Sequence, residues 1–133
     1  MSTSILLERN DHIATVILNK PDKMNALDLG MWRDLGDAFR TLSADDSVRC
    51  IVLRGAGEKA FSAGADIEEF ERARDTAQKS RAYSKVTQVA LAAIAGCPHP
   101  VIAQIHGACV GGGLEMATMC DMRICGASSR FGV

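Results

Sequence analysis

Several features are scarce or missing in this chain. Only six of its 133 residues are aromatic: one Trp, one Tyr and four Phe. Lys and Arg number 15 against 16 Asp and Glu, a formal net charge of -1. No basic stripe interleaved with aromatics is available to track a nucleic-acid backbone and stack its bases. No global field draws the chain to an anionic surface either, so an anionic ligand must be held locally. No apolar run is long enough to span a bilayer, and Met1 to Asp11, carrying Glu8 and Asp11, reads as neither a signal nor a transit peptide. The five cysteines, Cys50, Cys97, Cys109, Cys120 and Cys125, form no CxxC pair, and four lie in apolar segments. Free thiols used as small hydrophobes suit a reducing compartment, most simply the cytoplasm. His12, His99 and His106 have no ligand spacing to Cys or carboxylate, so no metal site is expected.

What remains is an ordinary globular composition, 47% hydrophobic and 23% charged, in one domain spanning 1–133. Ser4–Glu8 and His12–Leu18 are apolar and β-branched around Asn10-Asp11, the pattern of a hairpin. Asn19 to Lys23, with Pro21, breaks the strand. Asp28 is placed to cap a helix carrying Trp32, Leu35, Phe39 and Leu42 at helical spacing. Val48–Leu53 and Val101–Ile105 read as buried strands, the first covered on both faces. Helices are expected from near Asp66, over Thr76–Ala95 and from Gly111–Gly113 to about Cys120, with a last strand at Met122–Cys125. Strands alternating with helices predict an α/β domain.

Two loops rich in small residues follow buried strands and precede helices. One is Phe61-Ser62-Ala63-Gly64-Ala65-Asp66; the other runs from His106 to Glu115 through Gly107 and Gly111-Gly112-Gly113. Small residues let a ligand approach the main chain, and helix N-termini offer unpaired amides. Brought together, two such loops can aim two N–H groups at one developing oxyanion. Glu115 lies three residues after Gly112, where its carboxylate can stand beside that pocket or simply favour a helix start by about 0.3–1 kcal/mol. Gly55-Ala56-Gly57 imitates a dinucleotide fingerprint, but Phe61–Gly64 is no helix start, so that reading is rejected. Ser62 and Ser84 lack a base partner for nucleophilic chemistry.

Three segments then carry a resemblance: Asn19 to Leu27 (NKPDKMNAL), Ala60 to Ile67 (AFSAGADI) and Gly107 to Glu115 (GACVGGGLE). In order and interval they resemble successive motifs of the crotonase superfamily, the enoyl-CoA hydratase/isomerase family. The resemblance implies a ClpP/crotonase-like spiral of repeated ββα units. It places Ala65 and Gly112 as the oxyanion-hole amides and Glu115 as the first of two catalytic glutamates. Lys23, Met24, Ala26, Ala63, Gly64, Asp66, Ile67 and Gly111 fall where the family contacts coenzyme A or lines the site. Lys20 and Lys23 are candidates for the phosphates, or else a solvated turn. The implied substrate is an acyl-CoA, with coenzyme A present only as part of it and no resident cofactor. The implied partners are copies of the chain itself, in a trimer or a dimer of trimers, with no nucleic acid or membrane.

The family's second glutamate would fall beyond Val133, as would the carboxy-terminal helices that cover the acyl pocket. Strands such as Val101–Ile105 are therefore expected to keep apolar area exposed, and hydration by this chain alone is expected to be very low. The leading reaction is addition of water to a 2-enoyl-CoA. Isomerisation, decarboxylation, thioester hydrolysis and coenzyme A binding without turnover stay open.

Overall fold

The computed structural model describes residues 3–133. Its first two strands, β1 (Ile5–Asn10) and β2 (Ile13–Leu18), pair antiparallel from Ile5↔Leu18 to Asn10↔Ile13. The turn between them sits at Asp11-His12, one residue past the expected pair, and Asp11 takes the left-handed φ of 55°. A short 3-10 turn at Pro21–Lys23 ends with Met24 and Asn25, both also at φ 55°. The helix α1 (Leu29–Ser43) starts where its sequence signals it: the Asp28 carboxylate accepts from the Met31 N–H at 2.8 Å. Its stripe of Trp32, Leu35, Phe39 and Leu42 is buried, each residue contributing roughly 1.5–3 kcal/mol of transfer free energy.

The rest of the chain repeats one unit. β3 (Cys50–Gly55) and β4 (Ala60–Ser62) lead to α2 (Ile67–Ala73) and α3 (Ala77–Ala95); β5 (Val101–Ile105) and β6 (Ala108–Val110) lead to α4 (Gly112–Met119); β7 (Met122–Cys125) and β8 (Arg130–Gly132) follow. The longer strand of each pair joins a five-stranded sheet in the order β1-β2-β3-β5-β7, and the shorter one a three-stranded sheet in the order β4-β6-β8. Every pairing after the hairpin is parallel. Each turn of the chain therefore adds one strand to both sheets, the ββα repeat that the resemblance implies. Residue patterning did not reveal β4, β6 or β8, because three-residue strands beside glycines show no periodicity.

The helices α1 and α3 pack on each other and over one face of the large sheet, where Val16, Leu18, Ile51, Leu53, Val101, Ala103 and Ile105 are buried. Two expectations need correction. Val48–Leu53 is not a strand covered on both faces: Ile51 and Leu53 are buried while Cys50, Val52 and Arg54 are half-covered, so one face meets the helices and the other is only partly shielded. Nor does Val101–Ile105 leave much apolar area open, because α3 and the core cover Val101, Ala103 and Ile105. Apolar side chains more than half exposed include Ile67 at the start of α2 and Met122, Ile124 and Phe131 on the last strands. No helix among the described residues is long and apolar enough to cross a membrane.

Candidate functional site

The first loop is held by side chains. Ser62, fully buried, donates its hydroxyl to the Asn25 carbonyl at 2.8 Å and accepts the Gly64 N–H at 3.0 Å. Asn25, also fully buried, donates Nδ2 to the carbonyls of Ala56 and Ala60 at 3.0 and 2.9 Å, and its Oδ1 accepts the Lys20 N–H. Ala63 N–H donates to the Met24 carbonyl at 2.9 Å. Asn25 thus ties the Lys20–Ala26 turn to the loop before β4. It lies in the middle of the first motif and takes a left-handed φ of 55°, a region that Asn tolerates.

Beyond Ser62 the chain makes a parallel bridge between Leu27 and Ala65. Leu27 N–H donates to the Gly64 carbonyl at 2.7 Å, and Asp66 N–H donates to the Leu27 carbonyl at 2.8 Å. Alternation along an extended chain turns the intervening Ala65 N–H to the other side. Among the described residues that amide has no acceptor. Asp66 then caps α2, its Oδ1 accepting from Glu68 and Glu69.

The second loop is held by its backbone. Gly111 has φ 54° and ψ -123°, a conformation that disfavours side chains, and its N–H donates to the Gly132 carbonyl at 3.0 Å. Gly112 opens α4, where an amide has no carbonyl four residues back to bond. Gly113 packs so closely on β4 that a Cβ there would overlap the Ser62 carbonyl. A Cβ on Gly64 would stand 2.9 Å from the Gly112 nitrogen and 3.1 Å from the Val110 oxygen. The two loops are therefore in direct main-chain contact. A Cβ on Gly112 would lie 3.1 Å from Cζ2 of Trp32, so the indole of α1 braces this junction from below.

Beside it is a cleft of about 300 Å³ lined by Lys23, Ala26, Ala63, Ala65, Asp66, Ile67 and Glu68. Six of these are residues marked from the sequence. Lys23 Nζ stands 3.7 Å from Asp66 Oδ2, at the mouth, with about half of the Lys23 side chain exposed. The remaining marked residues are distributed differently. Met24 lines a separate cavity of about 310 Å³ with Glu58, Lys59 and Arg130. Gly64 and Gly111 shape the loops. Glu115 is exposed on α4, three residues from Gly112 and so on the same helical face. Lys20 is committed elsewhere: its ammonium pairs with Asp28. Burial alone would raise the Asp28 pKa, but the Lys20 hydrogen bond, the Met31 N–H and the charges of Lys20 and Lys23 together bring it below the usual value. Lys20 thus supports the carboxylate that caps α1.

The thiols nearby are inert. Burial pushes Cys109 up to about 11 and Cys120, despite the opposing charge of Arg123, up to about 12, so neither supplies a thiolate near neutral pH. The site's resources are two main-chain amides, one exposed carboxylate and a small cleft with a cation at its mouth. Backbone donors grouped at the ends of parallel strands are chemically able to hold an anionic ligand atom.

The description of the enoyl-CoA hydratase/isomerase family matches residues 8–133, and the chain belongs to that family. A solved structure of an enoyl-CoA hydratase/carnithine racemase from Magnetospirillum magneticum superposes with a TM-score of 0.96 at 54% identity, covering 100% of this chain and 50% of that one. The fold is thus the crotonase-like spiral. The mitochondrial Delta(3,5)-Delta(2,4)-dienoyl-CoA isomerase of Mus musculus is 36% identical over 90% of this chain and 39% of its own length. The crotonyl-CoA hydratase of Syntrophomonas wolfei is 33% identical over 97% of this chain and 49% of its own length. The chain spans about half the length of such relatives, or less.

Proposed function

We infer that the two loops bind the thioester end of an acyl-CoA and that the reaction is reversible addition of water to a 2-enoyl-CoA. The observation that supports this reading is the main-chain contact of Gly64, the neighbour of the unpaired Ala65 amide in the cleft wall, with Gly112 at the start of α4. In the forward direction water adds its oxygen to C3, and electron density moves through C2 to the thioester oxygen as an enolate. The Ala65 and Gly112 N–H groups hold that oxyanion. A proton delivered at C2 collapses the enolate to the 3-hydroxyacyl thioester. Glu115 is the acid/base on this side of the site, orienting water or passing a proton. Lys23, Ala26, Ala63, Asp66 and Ile67 line the cleft for coenzyme A, with Met24 contributing main chain through its bond to Ala63.

Calorimetric titration with acetoacetyl-CoA, whose enolate mimics the intermediate, tests the reading. Binding several-fold tighter than free coenzyme A is expected, and no heat from a folded sample contradicts it. In a form that hydrates crotonyl-CoA, Glu115→Gln is expected to lower turnover by about 10²–10⁴ with binding nearly intact. Unchanged turnover removes Glu115 from the mechanism. Isomerisation of a dienoyl-CoA is the second reading, favoured by the likeness to the mouse isomerase. It uses the same amides and differs in which carbon receives the proton.

A further inference from the structure

The two candidate amides come from different loops, yet one stretch of chain touches both. Leu27, two residues ahead of α1, encloses the Ala65 amide: its N–H donates to the Gly64 carbonyl, and its own carbonyl accepts the Asp66 N–H. Five residues on, the Trp32 side chain of α1 reaches Gly112. A Cβ on Gly112 would stand 3.1 Å from Cζ2 and 3.4 Å from Cη2 of the indole, and 3.5 Å from the Gly64 Cα. The first residue of α4 is therefore clasped between the indole and the main chain of the first loop. A methyl group fits there only if the indole gives way.

The start of α1 is itself fixed. The Asp28 carboxylate accepts the Met31 N–H, the Leu29 N–H donates to Glu69 of α2 at 2.6 Å, and the Trp32 N–H donates to the Asp28 carbonyl at 3.1 Å. The indole is 3% exposed, and neither its nitrogen nor the adjoining Tyr83 hydroxyl has a hydrogen-bond partner among the described residues. No polar tether holds the ring, so packing alone decides where its edge stops. Along a capped helix start, the span from the Leu27 main chain to that edge is a fixed length.

We propose that Trp32 is a positioning residue for the oxyanion contact. The start of α1 acts as a gauge: it holds the Ala65 loop at Leu27 and seats Gly112 against the indole, so that both N–H groups meet one oxygen. The inference rests on the acyl-CoA reading above. Trp32 acts through Gly112 and not by touching the ligand, and the fit is reciprocal, a large ring opposite a residue without Cβ.

Calorimetry with acetoacetyl-CoA and with free coenzyme A, which lacks the thioester oxygen, tests this on the 133-residue chain and its variants. Trp32→Phe keeps an aromatic ring in the core but has no atoms as far out as Cζ2 and Cη2. It is expected to weaken acetoacetyl-CoA by at least about fivefold and to leave free coenzyme A within about twofold. Gly112→Ala is expected to act likewise by pressing on the indole. In the double variant the shorter ring makes room for the methyl, so acetoacetyl-CoA is expected to bind more tightly than it does to Gly112→Ala alone. By nuclear magnetic resonance, the ligand-induced downfield movement of the Gly112 amide proton is expected to shrink in Trp32→Phe while that of Ala65 persists. A lowered urea midpoint with unchanged acetoacetyl-CoA affinity and unchanged Gly112 movement would leave Trp32 a packing residue and overturns the proposal. Additive losses in the double variant overturn it as well. Trp32 is the only tryptophan of the chain, so its ring protons can be followed in the unaltered protein if a variant does not fold. Cross-relaxation from that ring to the Gly112 α-protons is expected, and its absence overturns the proposal. These outcomes bear on Trp32 alone, whereas failure of the folded, unaltered chain to bind acetoacetyl-CoA overturns the acyl-CoA reading and this inference with it.

Discussion

The two loops that meet at Gly64 and Gly112 are held by opposite means. Around the first, polar side chains do the fastening: Asn25 spans three main-chain groups, and Ser62 links Asn25 to Gly64. Around the second, missing side chains do it: Gly107 and Gly113 let strand and helix approach until no Cβ fits. The comparison teaches that one half of the site is vulnerable to deleting atoms and the other to adding them.

The largest effect is expected from adding one methyl group. Gly113→Ala would drive a Cβ into the Ser62 carbonyl, a main-chain atom that cannot swing aside. A cost of about 3 kcal/mol or more is expected as a shift of the urea midpoint. A variant with unchanged stability would show that α4 is free to move off β4, and the contrast between the loops would lose its basis.

Next come the deletions. Asn25→Ala leaves the Ala60 carbonyl buried without its side-chain donor and the Lys20 N–H without its acceptor, so a loss of about 2–3 kcal/mol is expected. Ser62→Ala removes one donor and one acceptor and should cost about 1–2 kcal/mol, measured the same way. If Ser62→Ala proved the costlier, the serine and not the asparagine would be the organiser of the first loop.

Acid sharpens the same contrast at the smallest scale. The Asp28 carboxyl, which caps α1 and receives Lys20, titrates below the ordinary value of 3.8 in the folded protein. A lowered folded-state pKa gives stability that is present above 3.8 and lost as pH falls through the folded value. Protection factors from amide exchange, taken against the intrinsic rate at each pH from 6 towards 3, are therefore expected to fall at the start of α1 and around Leu27–Asp66 before they fall along α4. Asp28→Asn should remove that order. Simultaneous loosening of both regions would mean that the loops respond as one unit.

How far the sequence disclosed all this depended on scale. Long patterned elements were legible: the hairpin, the Asp28 cap with its Trp32–Leu42 stripe, and the Thr76 start of the long helix each follow from local rules. The second sheet was not legible from the residues. Its strands are three residues long, and what places Ala60–Ser62 beside Ala108–Val110 is the tertiary packing of Gly107 and Gly113, which no local pattern encodes. At the site, the marked residues Ala63, Ala65, Asp66, Ile67, Ala26 and Lys23 do line one cleft. The fastening roles of Asn25, Ser62 and Trp32 are not legible locally, because each has a partner far along the chain: Asn25 reaches Ala60, Ser62 reaches Asn25, and Trp32 lies against Gly112.

The central claim is that the Ala65 and Gly112 amides act together on one ligand oxygen. Nuclear magnetic resonance of the uniformly labelled chain during titration with acetoacetyl-CoA tests it most directly. Both amide protons are expected to move downfield and to saturate at the same ligand concentration, as two donors to one oxyanion must. Movement confined to Lys23, Asp66 and Ile67, with Ala65 and Gly112 unshifted at saturation, would contradict the account.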